Sequence, residues 1–169
     1  IIIHFPEEKH CEGNNRHISQ KNIDTSTSDL QKYYLCTINH KNRMKEILYI
    51  FIGGGMGSVL RYLGQIAINE RTSGVGFPFS WGTFSVNIIG CFLIGLFYSL
   101  SERWQLSMEI RLFLTVGICG GFTTFSTFSN DGLSLLKGEF YGAFVLYTLL
   151  SIGIGLAATL AGGYVGKQI

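Results

Sequence analysis

The sequence predicts an all-α membrane protein, a bundle of four transmembrane helices. Three observations carry that prediction. Of 169 residues, 47% are hydrophobic and only 14% charged, too apolar a balance for an ordinary soluble domain. The charges after residue 44 mark off four uncharged or nearly uncharged stretches, each close to the roughly 20 residues that a hydrocarbon core requires. The chain also holds 22 glycines against two prolines, which suits helices that approach closely where lipid removes the usual hydrophobic drive.

Residues 1–43 differ from the rest. They hold 11 of the 24 charged residues and all four histidines, with no sustained period of 2 or 3.6. The order of charges and apolar residues is not that of a signal peptide. Met44, followed by "KEILYIFIGGG", reads as a natural beginning. Residues 1–43 are therefore expected to be a disordered N-terminal extension or a start-site artefact, with the membrane domain in 44–169. His4, His10, Cys11 and His17 fit no standard zinc spacing.

The first span runs from Ile47 to Ile68, interrupted only by Arg61, with a GxxxG pair at Gly53 and Gly57 and Gly64 beyond it. After "NERTSGVG" the second span, Phe77 to Ser101, carries no charge; Gly90 and Gly95 punctuate it. Thr83 and Asn87 lie four apart within it and so share a helix face. The third, Leu112 to Asn130, follows "ERWQLSMEIR" and is equally uncharged. The fourth, Phe140 to Gly166, follows "KGE" and contains Tyr147 and Ser151 at the same four-residue spacing, with Gly153, Gly155, Gly162 and Gly163 as packing positions. Such short links give an up-down-up-down order. Cys91 and Cys119 fall inside spans, where a thiol is a small hydrophobe. Lys45, Arg103, Arg111 and Lys167 lie on one side and Arg71 and Lys137 on the other, a weak tilt toward cytoplasmic termini that would also suit insertion both ways.

Polar groups inside the spans are the informative ones, because each is costly unless paired or facing water. No Asp, Glu or His lies within any span; Asp131 and Glu139 sit at the margins. That disfavours catalysis and proton coupling, both of which ordinarily use a carboxylate or imidazole. Net charge near zero in both parts gives no electrostatic case for nucleic acid. What remains is hydroxyls, a few amides and one guanidinium, a set of donors suited to an anion.

The third span holds "GGFTTFSTFS", Gly120 to Ser129. Two glycines followed by hydroxyl residues have low helix propensity, so the helix is expected to break near its middle. Irregular backbone at that depth requires burial or a cavity. A break would free carbonyls for a cation and expose a half-helix N-terminus to anions. Phe125 and Phe128 could turn their electropositive ring edges to the same side. The competing reading is an intact helix whose hydroxyls bond back one turn.

These residues resemble the Fluc (CrcB-like) family of fluoride ion channels. The likeness covers essentially all of 44–169. It rests on "GGGMGSVLRY", "WGTFSVNIIGCFLIG", "GICGGFTTFSTFSND" and "LYTLLSIGIG" in order. It implies a four-helix subunit in an antiparallel, dual-topology homodimer with two fluoride pathways, in the inner membrane of a bacterial cell. It also implies a central Na+ held by the backbone carbonyls of Gly120 and Thr123. By motif position, Phe125 and Phe128 would be the paired pore phenylalanines and Asn87 the pore amide, with Thr83 before it. Ser126 and Thr127 would line the polar track, joined by Tyr147 and Ser151 from the fourth helix. Arg61 would attract anions at a vestibule or, equally, snorkel to a headgroup. The implied activity is passive fluoride export. The alternatives are a small proton-coupled, multidrug-type exporter, for which an embedded carboxylate is missing, and a non-transporting membrane scaffold, which leaves the hydroxyl segment unexplained.

Overall fold

The computed structural model describes residues 27–169, with side chains from residue 43. The expectation for residues 1–26 lies outside the described residues. Two units divide the chain, Ile1–Met44 and Lys45–Ile169. In the first, residues from Thr27 onward are helical, where the sequence reading expects no regular structure. The remainder of the fold concerns the second unit.

All regular structure among the described residues is helical. Helix α1 is Thr27–Thr72, α2 Trp81–Arg103, α3 Met108–Leu112, α4 Gly120–Phe122, α5 Phe125–Lys137 and α6 Tyr141–Gln168. A π-helical stretch, Phe113–Cys119, joins α3 to α4. Four segments are long and apolar enough to cross a membrane: Arg43–Thr72, Trp81–Arg103, Met108–Lys137 and Tyr141–Gln168.

The span limits move for local reasons. The first helix outlasts Ile68 to Thr72, where the Thr72 hydroxyl donates to the Ile68 carbonyl at 2.9 Å. The second starts at Trp81 instead of Phe77, because Pro78 lacks an N–H and disfavours helical backbone before it. An inverse γ-turn follows: Ser80 has φ −78° and ψ 73°, and the Trp81 N–H donates to the Phe79 carbonyl at 2.9 Å. No side chain from Ser80 caps α2. Asn69 of α1 does so instead, accepting the Gly82 N–H on Oδ1 at 3.0 Å. Nothing in the sequence accounts for the π-helical stretch.

Backbone meets backbone where α2 crosses α6. A methyl group on Gly95 would collide with the Thr159 carbonyl, and one on Gly162 with the Phe92 carbonyl. The GxxxG pair packs against the third span: Gly57 faces the Ile118 carbonyl and Gly53 that of Phe113. Such approaches need hydrogen in place of Cβ. Gly153, grouped with the packing glycines from sequence, has open space beside it instead. The side-chain core is small and aromatic, with Tyr147, Leu135 and Ala143 buried among Phe79, Phe84, Phe128 and Phe144. Large apolar side chains such as Phe51 and Leu160 are exposed, as lipid-facing residues are.

Helix α5 ends in a Schellman motif: the Phe140 N–H donates to the Leu135 carbonyl and the Glu139 N–H to that of Leu136. Its left-handed position is held by Glu139, φ 62°, not by glycine. A Glu139→Gly substitution is expected to stabilise the protein by about 0.5–1 kcal/mol, seen as a higher melting midpoint in detergent.

Candidate functional site

The site is built where the third span stops being helical. Thr123 (φ −80°, ψ 153°) and Thr124 (φ −148°, ψ 115°) are extended between α4 and α5. The Thr123 N–H still donates to the Cys119 carbonyl at 2.9 Å, but the Thr123 carbonyl and the Thr124 N–H leave the helical ladder and must be satisfied otherwise. Asn87 of α2 does most of this. Its Nδ2 donates to the Thr124 carbonyl at 3.2 Å, and its Oδ1 accepts the Thr124 N–H at 2.8 Å. One side-chain amide thus pairs with a backbone amide as a strand neighbour would.

That pairing has a second effect. In a continuous helix the Thr124 N–H would bond to the carbonyl four residues back, on Gly120. Asn87 takes that donor, so the Gly120 carbonyl loses its helical partner. The same happens one turn on. The Thr127 N–H, the helical partner for the Thr123 carbonyl, donates instead to Thr124 Oγ1 at 3.2 Å. Two carbonyls are released by two neighbouring substitutions of partner.

Thr124 is buried and caps α5. Its hydroxyl oxygen lies 3.0 Å from Thr127 Oγ1 and 3.2 Å from Ser126 Oγ. The three hydroxyls form a cluster beside the start of α5, with its N-terminal dipole end at the same place. Sequence reasoning passed over Thr124, although a threonine directly before a helical run is an N-cap signal. Thr124→Val, nearly isosteric, is expected to cost about 1 kcal/mol, the usual loss on removing a cap, measurable by thermal denaturation in micelles.

The aromatic residues stand beside this cluster. Phe125 and Phe128 have ring centroids 5.8 Å apart with planes at 35°. Phe125 is 80% exposed, whereas Phe128 is partly buried and stacks on Tyr147 at 5.1 Å and 28°. Tyr147 is wholly buried; its hydroxyl makes no close hydrogen bond but stands near the Asp131 carboxylate of α5. One turn further along α6, Ser151 Oγ is also buried and without a protein partner. So is Asp131 Oδ2 on α5, a carboxylate that the sequence places only at a span margin. Thr83 is buried and its hydroxyl oxygen accepts from Gln65 Nε2 of α1 at 3.2 Å. Arg61 is half-buried on α1, and no carboxylate among the described residues pairs with it.

The structure therefore joins Asn87, Ser126 and Thr127 through Thr124, and joins Phe125, Phe128 and Tyr147 by ring contacts. No hydrogen bond or ring contact among the described residues joins Thr83, Ser151 or Arg61 to either group. Among them there is also no group of three or more His, Cys, Asp or Glu side chains able to hold a metal. A cation would need backbone donors.

The profile of the family described as "CrcB-like protein, Camphor Resistance (CrcB)" matches residues 48–163. The chain belongs to the CrcB-like family. Relatives of high identity carry the name fluoride-specific ion channel FluC. One from Bacteroides fragilis is 72% identical over 125 residues, which cover 74% of this chain and 98% of the relative. One from Phocaeicola vulgatus is 54% identical over 119 residues, 70% and 96% of the two chains. One from Flavobacterium psychrophilum is 45% identical over 127 residues, 75% and 100%. The relatives' name is that of a channel, a class without catalytic turnover. As a CrcB-like chain with four membrane-capable helices, this is a multi-pass bacterial membrane protein.

Proposed function

We propose that this CrcB-like chain is a fluoride-selective ion channel of the inner membrane, passing fluoride out of the cell passively and so limiting its toxicity. The observation that carries the reading is the set of donors gathered around extended backbone in the third span. Hydroxyls of Thr124, Ser126 and Thr127 adjoin phenyl rings of Phe125 and Phe128, and no basic side chain enters their hydrogen-bond cluster. Fluoride is small and tightly hydrated, so its water must be replaced by preorganised donors. A full positive charge in a constriction would hold the ion too well to release it. The buried, unpaired hydroxyls of Tyr147 and Ser151 extend the donor set along α6. The relatives' name points the same way.

The third span is read as a broken helix, and the chain as one half of an antiparallel, dual-topology homodimer. Supporting the dimer, a cleft of about 520 Å³ opens on the surface beside α1, lined by Ile50, Phe51, Gly54, Gly55, Ser58 and Gly121. Its small residues would let a second copy's backbone approach. The released carbonyls of Gly120 and Thr123 fit a hard cation such as Na+, which takes oxygen donors and needs no side-chain ligand. When bound, that ion would supply a fixed positive charge that holds the extended segments together. Asn87 and Thr124 keep those carbonyls out of the helical ladder.

Purified protein in liposomes tests the reading with a fluoride electrode. Fluoride efflux without a proton gradient is expected. Flux obligatorily coupled to protons would reject the channel in favour of an exporter, and no flux would favour a scaffold.

A further inference from the structure

The pore phenylalanines belong to a longer chain of rings that starts outside the third span. Phe125 meets Phe128, and Phe128 stacks on Tyr147. Tyr147 in turn receives the edge of Phe79, with centroids 5.1 Å apart and planes at 88°. Phe79 also contacts Trp81 at 4.4 Å and Phe84 at 5.3 Å. It lies not on a helix but in the link between α1 and α2.

Two local devices fix Phe79. Its carbonyl accepts the Trp81 N–H in the inverse γ-turn at Ser80. Immediately after it, Asn69 holds the Gly82 N–H and so ties the start of α2 to the end of α1. The ring is therefore placed by backbone that cannot shift without breaking a cap. Tyr147 is wholly buried, with Asp131 near its hydroxyl; a neighbour at that end lies on the ring's own axis and leaves the plane to be set by the adjoining rings. Edge-to-face contact with Phe79 on one side and stacking with Phe128 on the other leave it one seat.

We propose that Phe79 is a positioning residue for fluoride passage: its edge sets the plane of Tyr147, and Tyr147 sets the plane of Phe128. An anion meeting ring edges requires those edges to be aimed, so loss of Phe79 loosens Phe128 through Tyr147 although Phe79 itself offers the ion no donor. The proposal rests on the channel reading for its flux consequence, but the relay itself does not.

The comparison is Phe79→Leu against Phe144→Leu, which removes a ring from the same core without a ring contact to Phe79, Tyr147 or Phe128. Phe79→Leu is expected to reduce fluoride efflux about tenfold, as the loss of one aromatic contact's worth of positioning, with Phe144→Leu within about twofold of the parent. In a Phe128→Ile background, Phe79→Leu is expected to add no further loss. Phe79→Tyr, which restores the ring, is expected to restore flux. Independently of flux, 4-fluorophenylalanine at position 128 is expected to change its 19F resonance with Phe79→Leu and not with Phe144→Leu. An unmoved resonance overturns the relay. So do equal losses for the two leucine variants, or losses from Phe79→Leu and Phe128→Ile that multiply. Absence of flux in the parent protein would reject the channel reading, while the 19F comparison would still decide the relay.

Discussion

Phe128→Ile is expected to lower fluoride efflux by roughly 10- to 100-fold while the protein still assembles and elutes as the parent does. The size follows from what isoleucine removes. A ring edge facing an anion acts as a weak donor to a charge, and donors to charged groups contribute about 1.5–3 kcal/mol, or one to two decades in rate. Assembly should survive because Phe128 is only partly buried, and isoleucine keeps most of its apolar contact with the Tyr147 core. Phe125→Ile is expected to lose a similar flux with still less effect on stability, since Phe125 is 80% exposed in the subunit. Electrode traces from liposomes with equal protein incorporation check both. Parent-like efflux from both variants would remove the phenylalanines from the ion path.

The four membrane-capable helices were legible because charge spacing alone delimits them; Arg61 is the single formal charge well inside one. Their ends were less so. Charge spacing carries the second span back to Phe77, four residues before the observed start at Trp81, because a proline such as Pro78 interrupts a helix without interrupting an uncharged run. The π-helical residues Phe113–Cys119 carry no composition that separates them from α-helix. In the site, residue types were readable and partners were not. Thr83 and Asn87 share a face, but their structural partners come from different elements, Gln65 on α1 and Thr124 in the third span. Periodicity reports which side of a helix a residue occupies and nothing about what stands opposite. Asn69 and Gln65 looked like ordinary polar residues near a helix end, and only packing turns them toward Gly82 and Thr83. Asp131 looked marginal because distance along the chain was the only measure of depth.

The other large effect is expected at Asn87, and it separates two roles for that amide. If Asn87 only lined a path for ions, Asn87→Leu would assemble normally and conduct poorly. Its observed bonds say otherwise. Removing the amide leaves the Thr124 N–H unpaired beside low-dielectric surroundings, at about 1–3 kcal/mol, and takes from the Thr124 carbonyl the partner it has besides the first bond of α5. Even about 1–3 kcal/mol is a large part of a typical domain's stability. Asn87→Leu is therefore expected to give little monodisperse protein by size exclusion, and a sharply lower melting midpoint for what is recovered. The segment has one way to recover its bonds, which is for Thr124 to rejoin the helix and return its N–H to the Gly120 carbonyl. That would withdraw one carbonyl offered to a cation and turn the hydroxyl cluster away from the phenyl rings. Asn87→Asp sharpens the comparison, since a carboxylate still accepts the Thr124 N–H but sets negative charge against the Thr124 carbonyl. It is expected to be less stable than the parent and to lose flux even where it folds, because the added charge also repels the anion. Parent-like stability for both variants would mean that the Asn87–Thr124 pair does not hold the extended segment open.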